Sequence, residues 1–508
     1  MAKIVLFYEQ YFSNGKMFFA FGRIFCQEIN ILATFVINLI NQKIKMKRLL
    51  IVLCSLLTAV QMMAAEKPRV IVMTDGEVDD RCSMVRFLLY TNNVEVKAII
   101  ETNSCFQRQG WSSDPWLEHE MDAYEQVYDN LKIHDRNYPT PAYLRSVCYV
   151  GDEDPAHVVV DGNAPARLPG EEPVINPDQW ADTPGSDRIV EVLLDNDPRP
   201  VYIQAWGGGN TVAKAFQKLR AEHAGDYDRA IRKAVVYNIW YQDGAGAYIE
   251  KYHPQATMLV QYHFSGTWDY GTLIYTDDFV SKYLHNGKNA LGALYTQPMI
   301  SEGDSPAFLY ALGNGLRAHE HPTYGGWGGR FYKVEKMENV WRDTGNGDIR
   351  QWMEAALHDF QARLEWCITP DYAHANHHPK ITLATPEDIS VRSGETVTIS
   401  ADISDDDPLD VDRLWEQRRA LFEQAGLTKE SFARDIDRHV QRFSTSWSQD
   451  VQAGTYPSYV NLKPQQSSLS FTAPRVSEPQ TIHILLEVTD RGFPSLTSYQ
   501  RYIVTVNP

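Results

Sequence analysis

Cysteine is scarce in this chain. Six occur among 508 residues, at 26, 54, 82, 105, 148 and 367, and no two stand at CxxC spacing. A disulfide-dense scaffold and a thiolate metal site are thereby excluded. Positive charge is also short: 48 Lys and Arg against 65 Asp and Glu leave a formal net charge of −17. Such a chain repels polyphosphate, so nucleic acid is not an expected partner. The glycines at 325, 326, 328 and 329 lead into Arg330 and lack the Gly-Lys-Ser/Thr ending of a phosphate loop. What is plentiful is aromatic: 12% of the chain, with 12 Trp and 27 Tyr. That suits a sugar-binding surface or a large core. The composition, 44% hydrophobic and 22% charged, is globular. At roughly 100–200 residues per domain, the length points to two to four domains.

Residues 46–65 read as a secretory signal. Lys45, Lys47 and Arg48 make a basic start, residues 49–60 an apolar run, and Ala64-Ala65 a small-residue cleavage site. The run is shorter than the about 20 residues a spanning helix needs. A membrane anchor, helped by residues 29–40, is the competing reading. Met46 then serves as the start, and residues 1–45 are an upstream extension. The expected location is secreted or periplasmic, with no integral membrane span in the mature chain. Cleavage near Ala65 leaves Cys82, Cys105, Cys148 and Cys367, and Cys105 with Cys148 is the pair expected to be buried or bonded.

Beyond the signal the chain shows two patterns. Over residues 66–372, buried-strand runs at 70–73, 94–100, 201–205 and 234–237 alternate with helical spacings at 80–90, 186–194 and from Asn210. Ser186 is the expected cap of the second helix. Strand, helix, strand implies a mostly parallel α/β sheet flanked by helices, with its site beyond the carboxyl ends of the strands. Over residues 378–508, short stretches alternating apolar and polar imply an all-β, immunoglobulin-like sandwich. A charged helical insert at 408–443 interrupts it, with Leu414, Trp415, Leu421, Phe422, Ile436 and Val440 as its apolar face. The joint carries His374, His377 and His378, expected in solvent.

The most informative segment is Thr74-Asp75-Gly76-Glu77-Val78-Asp79-Asp80. It sets four carboxylates within six residues, after a strand and before a helix. Such carboxylates repel one another unless a cation or solvent relieves them. All-oxygen ligands suit Ca²⁺ or Mg²⁺ rather than a soft metal. The competing reading is an acidic helix start and nothing more.

Together with the order of the motifs further along the chain, this segment resembles the inosine-uridine nucleoside hydrolase superfamily. More closely, the chain resembles the secreted nucleoside-hydrolase-like family DUF1593, some of whose members are labelled cellulose-binding proteins. The family's aspartate, three residues, two aspartates is met by Asp75, Asp79 and Asp80. The resemblance implies Asp75 and Asp80 as Ca²⁺ ligands and Asp79 as the base that activates water. It implies a substrate contact for Asn103, in Thr102-Asn103. It implies a main-chain carbonyl ligand at Asn210, in Gly207-Gly208-Gly209-Asn210-Thr211. It implies a last ligand at Asp304, in Gly303-Asp304-Ser305-Pro306-Ala307.

The departures are as informative. Gly303 stands where the superfamily has His before the aspartate, a candidate acid for the leaving base. Counted back from His253-Pro254, Ala247 and Ile249 stand where it has Glu and Asn gripping ribose. Asn238, Trp240, Gln242 and Asp243 lie close enough in sequence to replace them. Trp206, after a strand, is expected at the rim of the site, with Trp111, Trp116, Trp240 and Trp327 in loops or at strand ends. Arg330 is either a substrate clamp or a surface ion pair, and the second is favoured. His319 and His321 flank Glu320 on one extended stretch and are not expected to converge on a metal.

The expected function is a Ca²⁺-dependent exported hydrolase of a glycosidic, N-ribosyl-like bond, acting on a small glycoside or carbohydrate. The alternative is a non-catalytic, cellulose-like carbohydrate-binding protein that keeps the metal site. A phosphohydrolase is weaker, since no basic phosphate pocket accompanies the acids. A homo-oligomer is left open.

Overall fold

Runs of β-branched and apolar residues such as Val70-Ile71-Val72-Met73 can bury both faces of a strand, which only a sheet covered on each side provides. The computed structural model describes residues 67–159, 169–264, 268, 278–345 and 347–508. Residues 1–65, where an upstream extension and a signal segment are expected, lie outside them. Among the described residues eight strands form the first sheet: β1 Arg69–Thr74, β2 Glu95–Glu101, β3 Cys148–Val150, β4 Val201–Ala205, β5 Ala234–Ile239, β6 Thr257–Gln261, β7 Tyr332–Lys333 and β8 Val340–Arg342. Their order is β3-β2-β1-β4-β5-β6-β8-β7, parallel throughout except for β7 against β8.

Every residue of β1 is buried. Alternate side chains go to opposite faces. Val70 and Val72 meet helices α1 (Val78–Leu88), α2 (Trp116–His134), α6 (Ser305–Ala311) and α7 (Met353–Trp366). Ile71 and Met73 meet α3 (Pro184–Leu194), α4 (Asn210–Glu222) and α5 (Ala245–Tyr252). The α3 cap is Thr183, not Ser186. Thr183 accepts from the Ser186 main chain, and Ser186 Oγ accepts from the Thr183 main chain. Ser186 is thus the third helical residue of a reciprocal capping pair.

The chain winds outward from β1 through β2 to β3, then outward the other way from β4 through β5 to β6. The loops after β1 and β4 therefore part from each other, leaving a crevice at this reversal.

The second region is a sandwich of two four-stranded sheets. One is β10 (Asp388–Arg392), β16 (Thr497–Asn507), β15 (Gln480–Thr489) and β12 (Ser444–Gln449), in that order. The other is β13 (Lys463–Pro464), β14 (Ser468–Thr472), β11 (Thr396–Ser404) and β9 (Lys380–Leu383). Pairings are antiparallel except β10 with β16. Ile399, Phe471, Ile484 and Tyr502 fill the space between.

The insert is helical, with α8 Val411–Gln424 and α9 Lys429–Arg434. Its small core is Leu414, Trp415, Phe422 and Phe432. Leu421 is 59% exposed, and Phe432, which the periodicity passed over, is fully buried. A kink at Arg418 (φ −129°, ψ 19°) breaks the single 3.6-residue period through α8.

Residues 67–508 form one compact unit. Arg501 of β16, wholly buried, donates to Leu316 O at 2.6 Å, Tyr324 O at 2.6 Å and Asp450 Oδ2 at 3.0 Å. Arg330 also reaches Asp450 Oδ2, at 2.9 Å, and is 2% exposed. The surface ion pair expected of Arg330 is instead a buried joint between the two regions. Of the three joint histidines His377 is likewise buried and His378 half-buried. His377 stacks on Tyr372 at 3.7 Å and sits 3.1 Å from Asp407, and His378 lies 2.6 Å from Asp359. Only His374 of the three is exposed. Cys105 and Cys148 are not joined by a disulfide, and Cys148 Sγ donates to Leu144 O.

Candidate metal and active site

The acidic turn runs from the end of β1 into α1. Asp80 Oδ1 accepts from Thr74 Oγ1 at 2.5 Å and from the Asp75 main chain at 3.1 Å. Asp75 Oδ1 accepts from the Glu77 main chain at 3.2 Å. Gly76 takes a positive φ of 72°, and a Cβ there would sit 2.9 Å from Trp111 Cβ, so the turn requires glycine. Arg81, one residue past the acids, is turned back: its Nε donates to Gly76 O, and its guanidinium lies over Trp111 and Trp116.

The loop before α6 brings Asp304 to this corner. Asp304 is the residue that caps α6, and it is 2% exposed. Carboxylate oxygens of Asp79, Asp80 and Asp304 lie within 4.8 Å of one another. Asp75 lies beside them, 1% exposed, and its Oδ2 is buried without a hydrogen-bond partner. Gly207 presses against it, since a Cβ there would meet Asp75 Oδ2 at 2.9 Å. Gly303 leaves room for Asp79 in the same way, at 2.6 Å from its Oδ2.

The electrostatics are one-sided. Burial raises the Asp80 carboxyl well above the ordinary range, and the charges of Asp75, Asp304 and Asp79 raise it further. Burial and then Asp75 push Asp79 up to about 6. Burial also raises Asp75, although its hydrogen bonds oppose the rise. Glu77 is pushed to about 7 by burial and by Asp75 and Asp79. A buried acid cluster acted on by charges of its own sign is unfavourable as a purely structural device. A hard dication among these oxygens would reverse the sign of the interaction, and the donor set, all oxygen, fits one.

The neighbouring loops are tightly bound. Asn210 opens α4. Its amide donates to Asn103 Oδ1 at 2.7 Å, its main-chain N–H donates to Asp243 Oδ2 at 2.9 Å, and its Oδ1 accepts from Thr211. Asn103 in turn donates to Arg108 O. Asp243 also accepts from the Ala245 main chain, which ties the glycine-rich turn to the loop after β5. Asn238 donates its amide to Val236 O and Leu259 O.

Trp206 is fully buried with Phe87 and Phe308 against its ring, so it is not at the rim and offers no face for stacking. Trp240 fits a rim position better. It is half-buried beside Phe264, donates to Tyr262 O, and holds a left-handed φ of 60°. A bulky residue in that region is strained, and strain of this kind gathers at functional sites. Ala247 and Ile249 of α5 are both buried, and neither has a polar side-chain atom with which to hold ribose.

The support beneath the corner was not anticipated from sequence. Arg86, two turns along α1 from Asp79, pairs with Glu302 at 2.9 Å, and both side chains are wholly buried. Glu302 also accepts from Ser305 Oγ and Tyr295 Oη. This pair anchors the Asp304 loop to the helix that carries Asp79 and Asp80. An arginine facing inward from an otherwise apolar helix face was the available signal.

Residues 69–331 match the family described as cellulose-binding Sde182, nucleoside hydrolase-like domain. Residues 431–506 match the cellulose-binding protein Sde0182 C-terminal domain. Among solved structures, one is a nucleoside hydrolase-related hypothetical protein from Saccharophagus degradans, described as associated with carbohydrate metabolism. It shares 27% identity over 87% of this chain and 100% of that one, with a TM-score of 0.68. The effector protein XOO4466 (10% identity, 62% of this chain, 98% of that one, TM-score 0.34) is too distant to carry an argument. So is the type III effector XopQ, solved with adenosine diphosphate ribose (9%, 62%, 99%, 0.33). A search of curated proteins found no match. On the match over 69–331, more than half its length, this chain belongs to the cellulose-binding Sde182 family with a nucleoside hydrolase-like domain.

Proposed function

We propose that this protein is an exported, Ca²⁺-dependent hydrolase of a glycosidic, N-ribosyl-like bond. The observation that carries the reading is the convergence of Asp79, Asp80 and Asp304 within 4.8 Å beside the buried Oδ2 of Asp75. Asp75, Asp80, Asp304 and the main-chain oxygen of Asn210 are the proposed ligands. The Asn210 carbonyl stands at the first position of the α4 ladder, and a carbonyl has a second lone pair to offer. A hard dication bound there supplies Lewis acidity toward water and a grip on sugar hydroxyls.

The chain's own groups do the rest. Asp79 accepts a proton from water as its oxygen bonds to the anomeric carbon. The glycosidic bond breaks with its electron pair on the leaving group. The surrounding carboxylates stabilise the positive charge that develops on the sugar. The absence of a ribose grip at Ala247 and Ile249 argues for a substrate other than a common nucleoside.

Asp79→Asn tests the base assignment. Turnover on a panel of nucleosides, nucleotide sugars and oligosaccharides, scored as free reducing sugar, should fall at least about a hundredfold. Ca²⁺ binding by calorimetry should persist. Loss of Ca²⁺ together with turnover makes Asp79 a ligand instead, and undiminished turnover overturns the role. Export is tested by N-terminal sequencing of the protein recovered outside the cytoplasm, with a start near residue 66 expected.

A second reading is a non-catalytic carbohydrate-binding protein. It is favoured by Asn103 and Asn238, whose amides are already committed to protein partners. Retention on insoluble cellulose with no turnover across the panel would select it.

A further inference from the structure

A second cavity lies away from the acidic corner, where the helical insert, α7 and the loop between β15 and β16 meet. Its volume is about 570 Å³, within the range of small-ligand sites. In a chain of net charge −17, its lining carries three arginines, Arg413 and Arg418 from α8 and Arg491 from the loop, and the imidazoles of His358 and His439. Asp490 is the one acid in that lining, and it faces protein. Its Oδ1 accepts from the Gly492 and Leu496 main chains and its Oδ2 from Asn376 Nδ2.

The insert's own acids do not neutralise this group. Glu416 and Glu423 pair with Arg419, Asp412 with Lys429, and Asp437 with Arg442, and none of those cations lines the cavity. Among the described residues neither Arg413 nor Arg418 forms an ion pair with a carboxylate; the nearest counter-charge is Glu365 of α7, which the charge of Arg413 reaches but whose Oε1 accepts from Gln361. Arg413 instead lies 4.1 Å over the Phe493 ring, which fixes its guanidinium at the cavity wall. The helix also leaves its regular dihedrals at Arg418. Arg491 donates through Nε to Gln441 O, leaving its other guanidinium nitrogens available. The side-chain amides of Gln417 and Gln441, also in the lining, make no hydrogen bond among the described residues.

We infer that this cavity is a binding site for an anionic saccharide, its acid group taken by Arg413, Arg418 and Arg491 and its hydroxyls by Gln417 and Gln441. Guanidinium forks match carboxylate and sulfate oxygens, and amides offer both donors and acceptors to hydroxyls. The anion half of the inference stands on the charge arrangement alone. The saccharide half rests on the carbohydrate association of the family, and is independent of turnover at Asp79.

The test is calorimetric titration of the mature chain with an oligogalacturonate, a sulfated oligosaccharide of similar length and a neutral cello-oligosaccharide. Each is also titrated into the Asp79→Asn protein, so that a failure of catalysis and a failure of this site are told apart. At least one acidic probe should bind more tightly than the neutral one and weaken with added salt. The two acidic arms identify whether carboxylate or sulfate is the recognised group. Arg413→Gln with Arg418→Gln should weaken that probe at least about fivefold, the effect of roughly 1 kcal/mol. Arg419→Gln, on the same helix but held by Glu416 and Glu423, should leave it unchanged. Equal binding of acidic and neutral probes, no binding of any, or equal weakening by Arg419→Gln overturns the inference. Should the double variant lose its thermal transition, Arg491→Gln on the β15–β16 loop replaces it, with the same expected weakening.

Discussion

The acidic corner and the joint between the two regions both bury carboxylates, and they resolve the cost differently. At the joint two buried acids meet cations: Asp450 receives both Arg330 and Arg501, and Asp359 receives Arg363, with His378 beside it. Arg363 and His378 overcome the penalty of burial, so the Asp359 carboxyl falls below the ordinary range. At the corner Asp80 is surrounded by Asp75, Asp304 and Asp79, and its carboxyl rises. One arrangement is complete within the protein, and the other calls for a cation from outside. Buried charge therefore serves assembly in one place and ligand capture in the other.

The largest contrast is expected on removing one acid from each. Asp450→Ala leaves two buried guanidiniums without their shared partner and should cost about 3–5 kcal/mol in urea unfolding. Asp80→Asn keeps an acceptor for Thr74 and removes a like charge, so with chelator present it should be neutral or stabilising. Destabilisation of similar size in both would erase the distinction between the two places.

Metal should then separate them further. Free Ca²⁺ at about a hundred times its Kd should stabilise the wild type by about 3 kcal/mol, and Asp304→Asn should abolish the gain. The Asp450 variant should keep it. An equal response of the Asp304 variant to Ca²⁺ would remove the metal site.

A gentler probe is steric. Gly303→Ala puts a methyl 2.6 Å from Asp79 Oδ2, and the flexible carboxylate end can move aside. The fold should lose less than about 1 kcal/mol while Ca²⁺ affinity or turnover falls. Unchanged binding and turnover would show that Asp79 need not stand where it does.

The smallest effect concerns pH at the joint. Burial, and then the charge of Arg501, lowers His483 from 6.5 to about 3. For a base depressed in the folded state, the unfolded chain binds the proton first. Stability is whole above pH 6.5 and declines as pH falls from there toward 3. His483→Gln should flatten that part of the stability profile, and an unchanged slope would mean His483 does not titrate on unfolding.

Strand runs such as 201–205 were readable because burial on both faces demands an apolar run, and the observed β4 has those bounds. The carboxylates Asp75, Asp79 and Asp80 were readable because neighbours in sequence cannot be far apart. Trp206 was misplaced because position after a strand does not say which way a ring turns, and Phe87 and Phe308 closed over it. Arg330 and His377 were misplaced because their partners, Asp450 and Asp407, lie far along the chain. Arg86 with Glu302 was missed for the same reason, since 216 residues separate them.

Sequence alone was enough for what is local: the strand and helix periods, the change of pattern between the two regions, and the cluster of acids after the first strand. Which distant groups meet was settled only by the folded chain: Asp304 with Asp79 and Asp80, Arg330 and Arg501 with Asp450, and three arginines around one cavity. Local pattern comes from the geometry of a single backbone segment, whereas the sign and satisfaction of a buried charge depend on whatever the fold places beside it.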